Sequence, residues 1–169
     1  MFRLTMESPD DYWEVEYLLD LAFGQGRRSL SSYRLRESVG PVRDLCFVAR
    51  EAAGFVSGSI RYWPITIGKE RFDALLLGPI AVHPIMQGEG LGSLLIRHSL
   101  RVAEERGWER VVLVGDESYY GRFGFRKTGC LEFPAPTDPA RILAMSLVAG
   151  SFAGVSGTVQ AAETDGELT

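Results

Sequence analysis

ALLLGPIAVHPIMQGEGLGS, running from Ala74 to Ser93, is the stretch that decides the fold. Ala74 to Val82 is almost wholly apolar and reads as a central strand covered on both faces. Gly78-Pro79 falls inside it, and because proline has no N–H to give to a ladder, a bulge or a break in pairing is expected there. Past His83 and Pro84 the pattern changes. Leu91, Leu94, Leu95, Ser99, Val102 and Ala103 recur at helical spacing, and Gly107 is a natural stop. Between strand and helix stand Gly88, Gly90 and Gly92. Residues without a Cβ let successive backbone N–H groups converge on one point, and the helix start adds about half a positive charge. That combination is an anion cradle, most naturally for phosphate.

Two familiar nucleotide loops do not fit. A P-loop needs a Gly-Lys-Ser/Thr ending, and the Gly-Lys pair at Gly68-Lys69 is followed by Glu70. A dinucleotide fingerprint needs a third glycine where Ser93 stands, and it belongs after the first strand of a parallel series instead of mid-chain. A strand-to-helix turn with no ligand is the plain alternative. The spacing that does fit is Gln87-x-x-Gly90-x-Gly92.

Outward from this stretch, Phe2 to Met6 alternates as a first strand, and Ser8-Pro9-Asp10-Asp11 opens a helix whose inner stripe is Tyr12, Val15, Leu18, Leu19, Ala22 and Phe23. A shorter helix is expected over Ser31 to Ser38. Strands follow at Leu45 to Glu51, Phe55 to Thr66 and Phe72 to Val82, forming an antiparallel meander. After the glycine-loop helix, Val111 to Val114 is a buried strand reached by a right-handed parallel crossover. A helical turn at Ser118 to Phe123, a strand from Phe125, a proline-rich link at Phe133 to Pro139 and a strand at Ile142 to Val148 complete the expected domain, residues 1–149. Residues 150–169 are small and acidic, and the tail is expected to fray.

The sequence resembles the GNAT superfamily of N-acetyltransferases, most closely the small single-domain bacterial type. The resemblance rests on Gln87-x-x-Gly90-x-Gly92 after the interrupted strand, on Val82-x-Pro84 leading into it, and on Tyr120-x-x-x-Gly124-Phe125 downstream. It implies an α/β fold of the α+β kind, with a mixed, mostly antiparallel, splayed sheet flanked by helices. It implies acetyl-CoA as co-substrate, with Gln87, Gly88, Glu89, Gly90, Leu91, Gly92 and Ser93 around the pyrophosphate. Backbone groups at Ile80, Ala81 and Val82 would pair with the pantetheine arm as a pseudo-strand, and a backbone N–H there would polarise the thioester carbonyl. Tyr120 is then the catalytic residue, a general acid for the departing thiolate. The activity implied is direct acetyl transfer to a primary amine. The alternative is an acyl-CoA-binding regulatory or interaction domain without turnover. Glu89 departs from the basic residues many relatives carry, and no Asp or Glu lies between Ala74 and Val82 to serve as base, leaving Asp116, Glu117, His83 or water.

Composition narrows partners. The chain has 169 residues, 46% hydrophobic and 24% charged, and its net charge of −4 with scattered Lys and Arg predicts no nucleic-acid surface. Glycine is in excess, 19 residues, and bunches at the cradle. Cys46 and Cys130, far apart and without a CxxC pair, read as two buried thiols, with neither a disulfide nor a metal site. The longest apolar run is far short of the ~20 residues that span a bilayer, and the acids near the N-terminus are unlike a secretory leader. A cytoplasmic enzyme acting on a small-molecule or peptide amine is expected, with no membrane partner; a homodimer is compatible.

Overall fold

A computed structural model describes residues 2–24, 26–27, 31–36 and 39–163. The first half of the chain contains β1 (Arg3–Met6), α1 (Tyr12–Phe23), β2 (Phe47–Arg50), β3 (Val56–Ile67) and β4 (Phe72–Val82). The second contains α2 (Leu91–Glu105), β5 (Arg110–Val114), α3 (Glu117–Tyr120), β6 (Arg126–Lys127), β7 (Leu131–Glu132), β8 (Ile142–Ser146) and β9 (Gly157–Ala161). The hydrogen-bonded order is β1-β2-β3-β4-β5-β8-β6, with β9 joined to β3 and β7. Pairs β4–β5 and β7–β9 are parallel, whereas β1–β2, β2–β3, β3–β9, β5–β8 and β6–β8 are antiparallel. The mixed, mostly antiparallel α/β sheet expected from sequence is the one observed. The expected helix over Ser31 to Ser38 is a 3-10 segment, Ser31–Leu35, and residues 37–38 lie outside those described.

The chain forms two compact units, one of Met1–Ser29, Val42–Tyr62 and Leu77–Gly107, the other of Leu30–Pro41, Trp63–Leu76 and Trp108–Thr169. In the first, Val15, Leu18 and Leu19 of α1 pack with Val48, Val56 and Ala81. Tyr12 and Phe23, expected on that inner stripe, are substantially exposed because they occupy the helix ends. The Tyr12 ring stands edge-on to Trp13 at 5.0 Å and lies over the Arg61 guanidinium at 5.8 Å. In α2, Leu94 is exposed and Ile96 takes its expected place in the core. Ser99 donates to the carbonyl of Leu95 at 2.7 Å, which leaves the buried Tyr62 hydroxyl to donate to Ser99 at 2.8 Å.

A chain of alternating charges lies under α1. Arg61 of β3 donates to Glu7 at 2.8 and 3.0 Å and to Glu16 at 3.0 Å, and Glu16 also pairs with Arg27, which reaches Asp20 at 2.9 Å. Arg61 and Arg27 are buried. Burial alone would push the Glu16 carboxyl up, but its hydrogen bonds and charge interactions with Arg27 and Arg61 outweigh that and hold it below the ordinary value. The same two carboxylates hold Arg61 firmly protonated against its desolvation.

The second unit is built on Ile65, Ile67, Ala74, Leu76, Val112, Ile142 and Val159. The C-terminal segment expected to fray instead supplies β9, antiparallel to β3 through Ile65–Ala161, Thr66–Gln160 and Ile67–Val159. Val155 and Val159 are buried, so the segment has an apolar reason to dock. Backbone meets backbone where it lands: a Cβ on Gly157 would stand 2.9 Å from the Cα of Gly68. Cys130 corrects the sequence reading as well. It is exposed in the bend before β7, and Leu131 takes the core position there, while Cys46 is buried as expected.

Candidate active site

The cradle lies within the first unit. β4 enters it through a cis Gly78-Pro79 bond. Its ladder to β5 consists of Leu75–Val111 and Leu76–Val112, so Ile80, Ala81 and Val82 lie beyond that ladder. The end of β4 is held on its other side, where the His83 N–H donates to the Ser57 carbonyl at 2.8 Å. A 3-10 turn, Pro84–Met86, follows, and the Nδ1 of His83 accepts from the Ile85 N–H at 3.2 Å. That bond assigns His83 a turn-capping task.

Gly88 and Gly90 then take positive φ, +89° and +78°, the left-handed region that side chains resist. Gly90 is the N-cap of α2, and its carbonyl accepts from the Leu94 N–H at 3.0 Å. The N–H groups of Leu91, Gly92 and Ser93 are first-turn donors with no acceptor inside the helix. Nothing lies within 4 Å of where a Cβ would sit on Gly88 or Gly90, so the loop presents bare backbone. Gln87 through Gly90 are exposed, whereas the Leu91 side chain is buried and anchors the helix start. Leu91 and Gly92 thus offer backbone only. One turn further, Arg97 donates to the Ser93 hydroxyl at 3.3 Å and brings an exposed cation toward the helix start. Arg97 belongs to no motif, and its four-residue spacing from Ser93 is the one local signal for this pair.

Tyr120 belongs to the second unit. α3 starts after Asp116, whose carbonyl accepts from the Tyr119 and Tyr120 N–H groups at 3.1 and 2.9 Å. The Tyr120 ring meets Tyr119 edge-on at 4.9 Å and Phe125 at 6.2 Å. Gly124, at φ +107°, turns the chain so that Phe125 is fully buried, which explains the spacing of tyrosine, glycine and phenylalanine in the motif. Burial, followed by the neighbouring Tyr119, pushes the Tyr120 hydroxyl up to about 12. It therefore carries its proton throughout the physiological range. Gly115 is a second residue the sequence reading missed, since a Cβ there would press on the Tyr120 ring.

The two remaining general-base candidates, Asp116 and Glu117, have structural duties, as do the neighbouring Arg122 and the α2 residue His98. Arg141 donates to Asp116 at 3.1 Å, and the Lys127 N–H donates to Glu117 at 2.8 Å. Arg122 stacks over Tyr119 at 4.6 Å and donates to its carbonyl at 2.8 Å. His98 stands edge-on to Phe47 at 4.7 Å. Among the described residues no group of His, Cys, Asp and Glu is arranged to hold a metal ion, and no helix is long and apolar enough to cross a membrane.

Residues 43–127 match the family model of the acetyltransferase (GNAT) domain. The chain belongs to the GNAT family. This GNAT chain is 30% identical over 122 residues to the uncharacterized N-acetyltransferase YhbS of Escherichia coli, a match spanning 72% of each chain. It is 39% identical over 141 residues to the uncharacterized N-acetyltransferase YjhQ of Escherichia coli, covering 80% of this chain and 75% of that one. The crystal structure of Escherichia coli YhbS in complex with CoA superposes with a TM-score of 0.84 at 26% identity, covering 96% of this chain and 90% of the other. A GNAT-family acetyltransferase of Brucella melitensis in complex with acetyl-CoA gives 0.68 at 28% identity, covering 86% and 88%. Like these relatives, the protein is an N-acetyltransferase-family enzyme.

Proposed function

We propose that this GNAT enzyme moves the acetyl group of acetyl-CoA onto a primary amine by direct attack. The observation that carries the proposal is the left-handed backbone at Gly88 and at Gly90, without a side chain at either, leading into the first-turn amides of a 15-residue helix. That arrangement fits a pyrophosphate: converging N–H donors, a positive helix end, and no side chain in the way. Gln87, Gly88, Glu89, Gly90, Leu91, Gly92 and Ser93 would hold it, mainly through backbone. Glu89 is exposed and free to face solvent, and Arg97 brings a cation to Ser93. Ile80, Ala81 and Val82 would pair with the amide-bearing arm and aim an N–H at the reacting carbonyl.

Acetyl-CoA supplies an activated thioester and a thiolate leaving group. Tyr120 holds the proton that such a group needs, at a hydroxyl kept protonated by burial. Asp116, Glu117 and His83 are engaged in the bonds described above, so deprotonation of the amine is assigned to none of them.

Thiol release from acetyl-CoA across a panel of polyamines, aminoglycosides, amino acids and peptide N-termini tests the reading. Release with at least one amine class is expected. Tight acetyl-CoA binding without release for any amine would support an acyl-CoA-binding domain instead. A rise in melting temperature with NAD and none with acetyl-CoA would overturn the cradle assignment, because a ligand at 100 times its Kd stabilises by about 2.7 kcal/mol.

A further inference from the structure

A second concavity, of about 670 Å³, opens within the second unit, at the sheet edge formed by β6 and β8. Its apolar surface includes Phe123 and Met145 together with Ala144 of β8 and Phe152 and Val155 of the C-terminal segment, and Phe152 and Val155 pack on the core. Arg126 and Lys127 of β6 line it, and no Asp or Glu does. In a chain of net charge −4 the concavity is lined by two cations and no acid, with Glu117 close by on the Lys127 N–H, so Arg126 is the cation that matters for a ligand here. Arg126 is fixed in place: its Nη1 donates to the carbonyls of Gly121 and Phe125, each at 2.8 Å, and its remaining nitrogens have no such bond among the described residues. The volume lies within the ordinary range for small-molecule pockets.

We infer that this concavity is a binding site for a monocarboxylate with an apolar body, its head on Arg126 and its tail on Ala144, Phe152 and Val155. The chemistry is that of complementary halves. A planar guanidinium pinned by two carbonyls loses little freedom when it pairs with a carboxylate, and an aliphatic chain gains by covering apolar surface that would otherwise face water. Neither half depends on the acetyl-transfer reading, since Gly88 to Ser93 take no part in it.

Cys130 lines the same concavity and is exposed, with its backbone fixed by the Gly157 N–H donating to its carbonyl at 2.8 Å. The other thiol, Cys46, is buried, and burial raises it to about 11, so it reacts slowly. Cys130 therefore serves as a reporter in the full-length protein. The test is its rate of reaction with the neutral reagent 4,4′-dithiodipyridine at increasing octanoate, with 1-octanol as the uncharged control. The expected result is saturable protection by octanoate and none by 1-octanol at equal concentration, with Arg126→Gln weakening the octanoate effect about tenfold. Ala144→Phe, which fills the floor, should abolish protection while acetyl-CoA binding stays as in the parent. Absence of saturable protection, equal protection by 1-octanol, or undiminished protection in folded Arg126→Gln would overturn the site. These readouts require no turnover, so their failure is distinct from failure of the acetyl-transfer proposal.

Discussion

The ring of Tyr120 lies so close over Gly115 that a Cβ at residue 115 would stand 2.5 Å from the tyrosine Cε2 and 2.9 Å from its Cδ2. The glycine at the end of β5 is thus the seat of the proposed general acid, and nothing larger fits without turning the ring. Tyr120→Phe should lower kcat by about 10²-fold with acetyl-CoA affinity retained. Gly115→Ala should lower kcat in the same direction, since it displaces the donor without removing it. Because burial pushes the hydroxyl up to about 12, no alkaline loss of kcat from this group is expected until that region. The stability contributed by the protonated hydroxyl is present below the ordinary tyrosine value of 10.0 and is lost as pH rises toward 12. Steady-state kinetics at saturating acetyl-CoA check the pair, and unchanged kcat in Tyr120→Phe with chemistry rate-limiting would remove Tyr120 from the reaction.

Gly90→Ala addresses the cradle. Space is open there, but φ is +78°, so the substitution should cost about 1–2 kcal/mol through backbone strain alone. Relief of that strain would move the first-turn amides of α2, and acetyl-CoA affinity should fall. Urea unfolding and calorimetric titration report the two effects separately. Full affinity in a folded variant would detach the glycine loop from the pyrophosphate.

Arg61→Met strips the shared partner from Glu7 and Glu16, both largely buried. Glu7 is left buried without its cation while Glu16 keeps Arg27, and the loss should cost about 3 kcal/mol at neutral pH. Glu16 is held below its ordinary 4.5, so its contribution is present above that value and is lost as pH falls through the lowered one. The variant should therefore show a flatter acid limb as well as lower stability, measured by urea titration across pH.

Val159→Ala tests the docking of β9. Val159 is buried in the core of the second unit, and removing two methyl groups should cost roughly 2 kcal/mol. A surface strand of no structural consequence would show a change near zero.

Much of the site was legible because its requirements are local. Pro79 in an apolar strand, glycines alternating into a helix and a glycine before Phe125 each announce a backbone conformation through neighbouring residues. The element order and the mixed sheet followed from the same kind of signal. The expected burial of Tyr12, Phe23 and Leu94 failed where helix ends and a shifted stripe decided exposure. Cys130 looked like a core residue beside Leu131, but alternation at a two-residue strand could not show which of the two faced inward.

The small, acidic C-terminal segment departs from expectation for the opposite reason. Composition suggests a fraying end, whereas the folded chain pairs Val159 with Ile67 and Gly157 with Leu131, both far back along the sequence. Local sequence specifies the left-handed glycine loop ahead of α2 and the turn that follows Tyr120, because left-handed backbone and helix starts are set within a few residues. Tertiary structure alone decided that Gly115 seats Tyr120, that Arg61 joins Glu7 to Glu16, and that β9 completes the sheet. Those relations depend on which distant surfaces bury one another, and no local pattern encodes them.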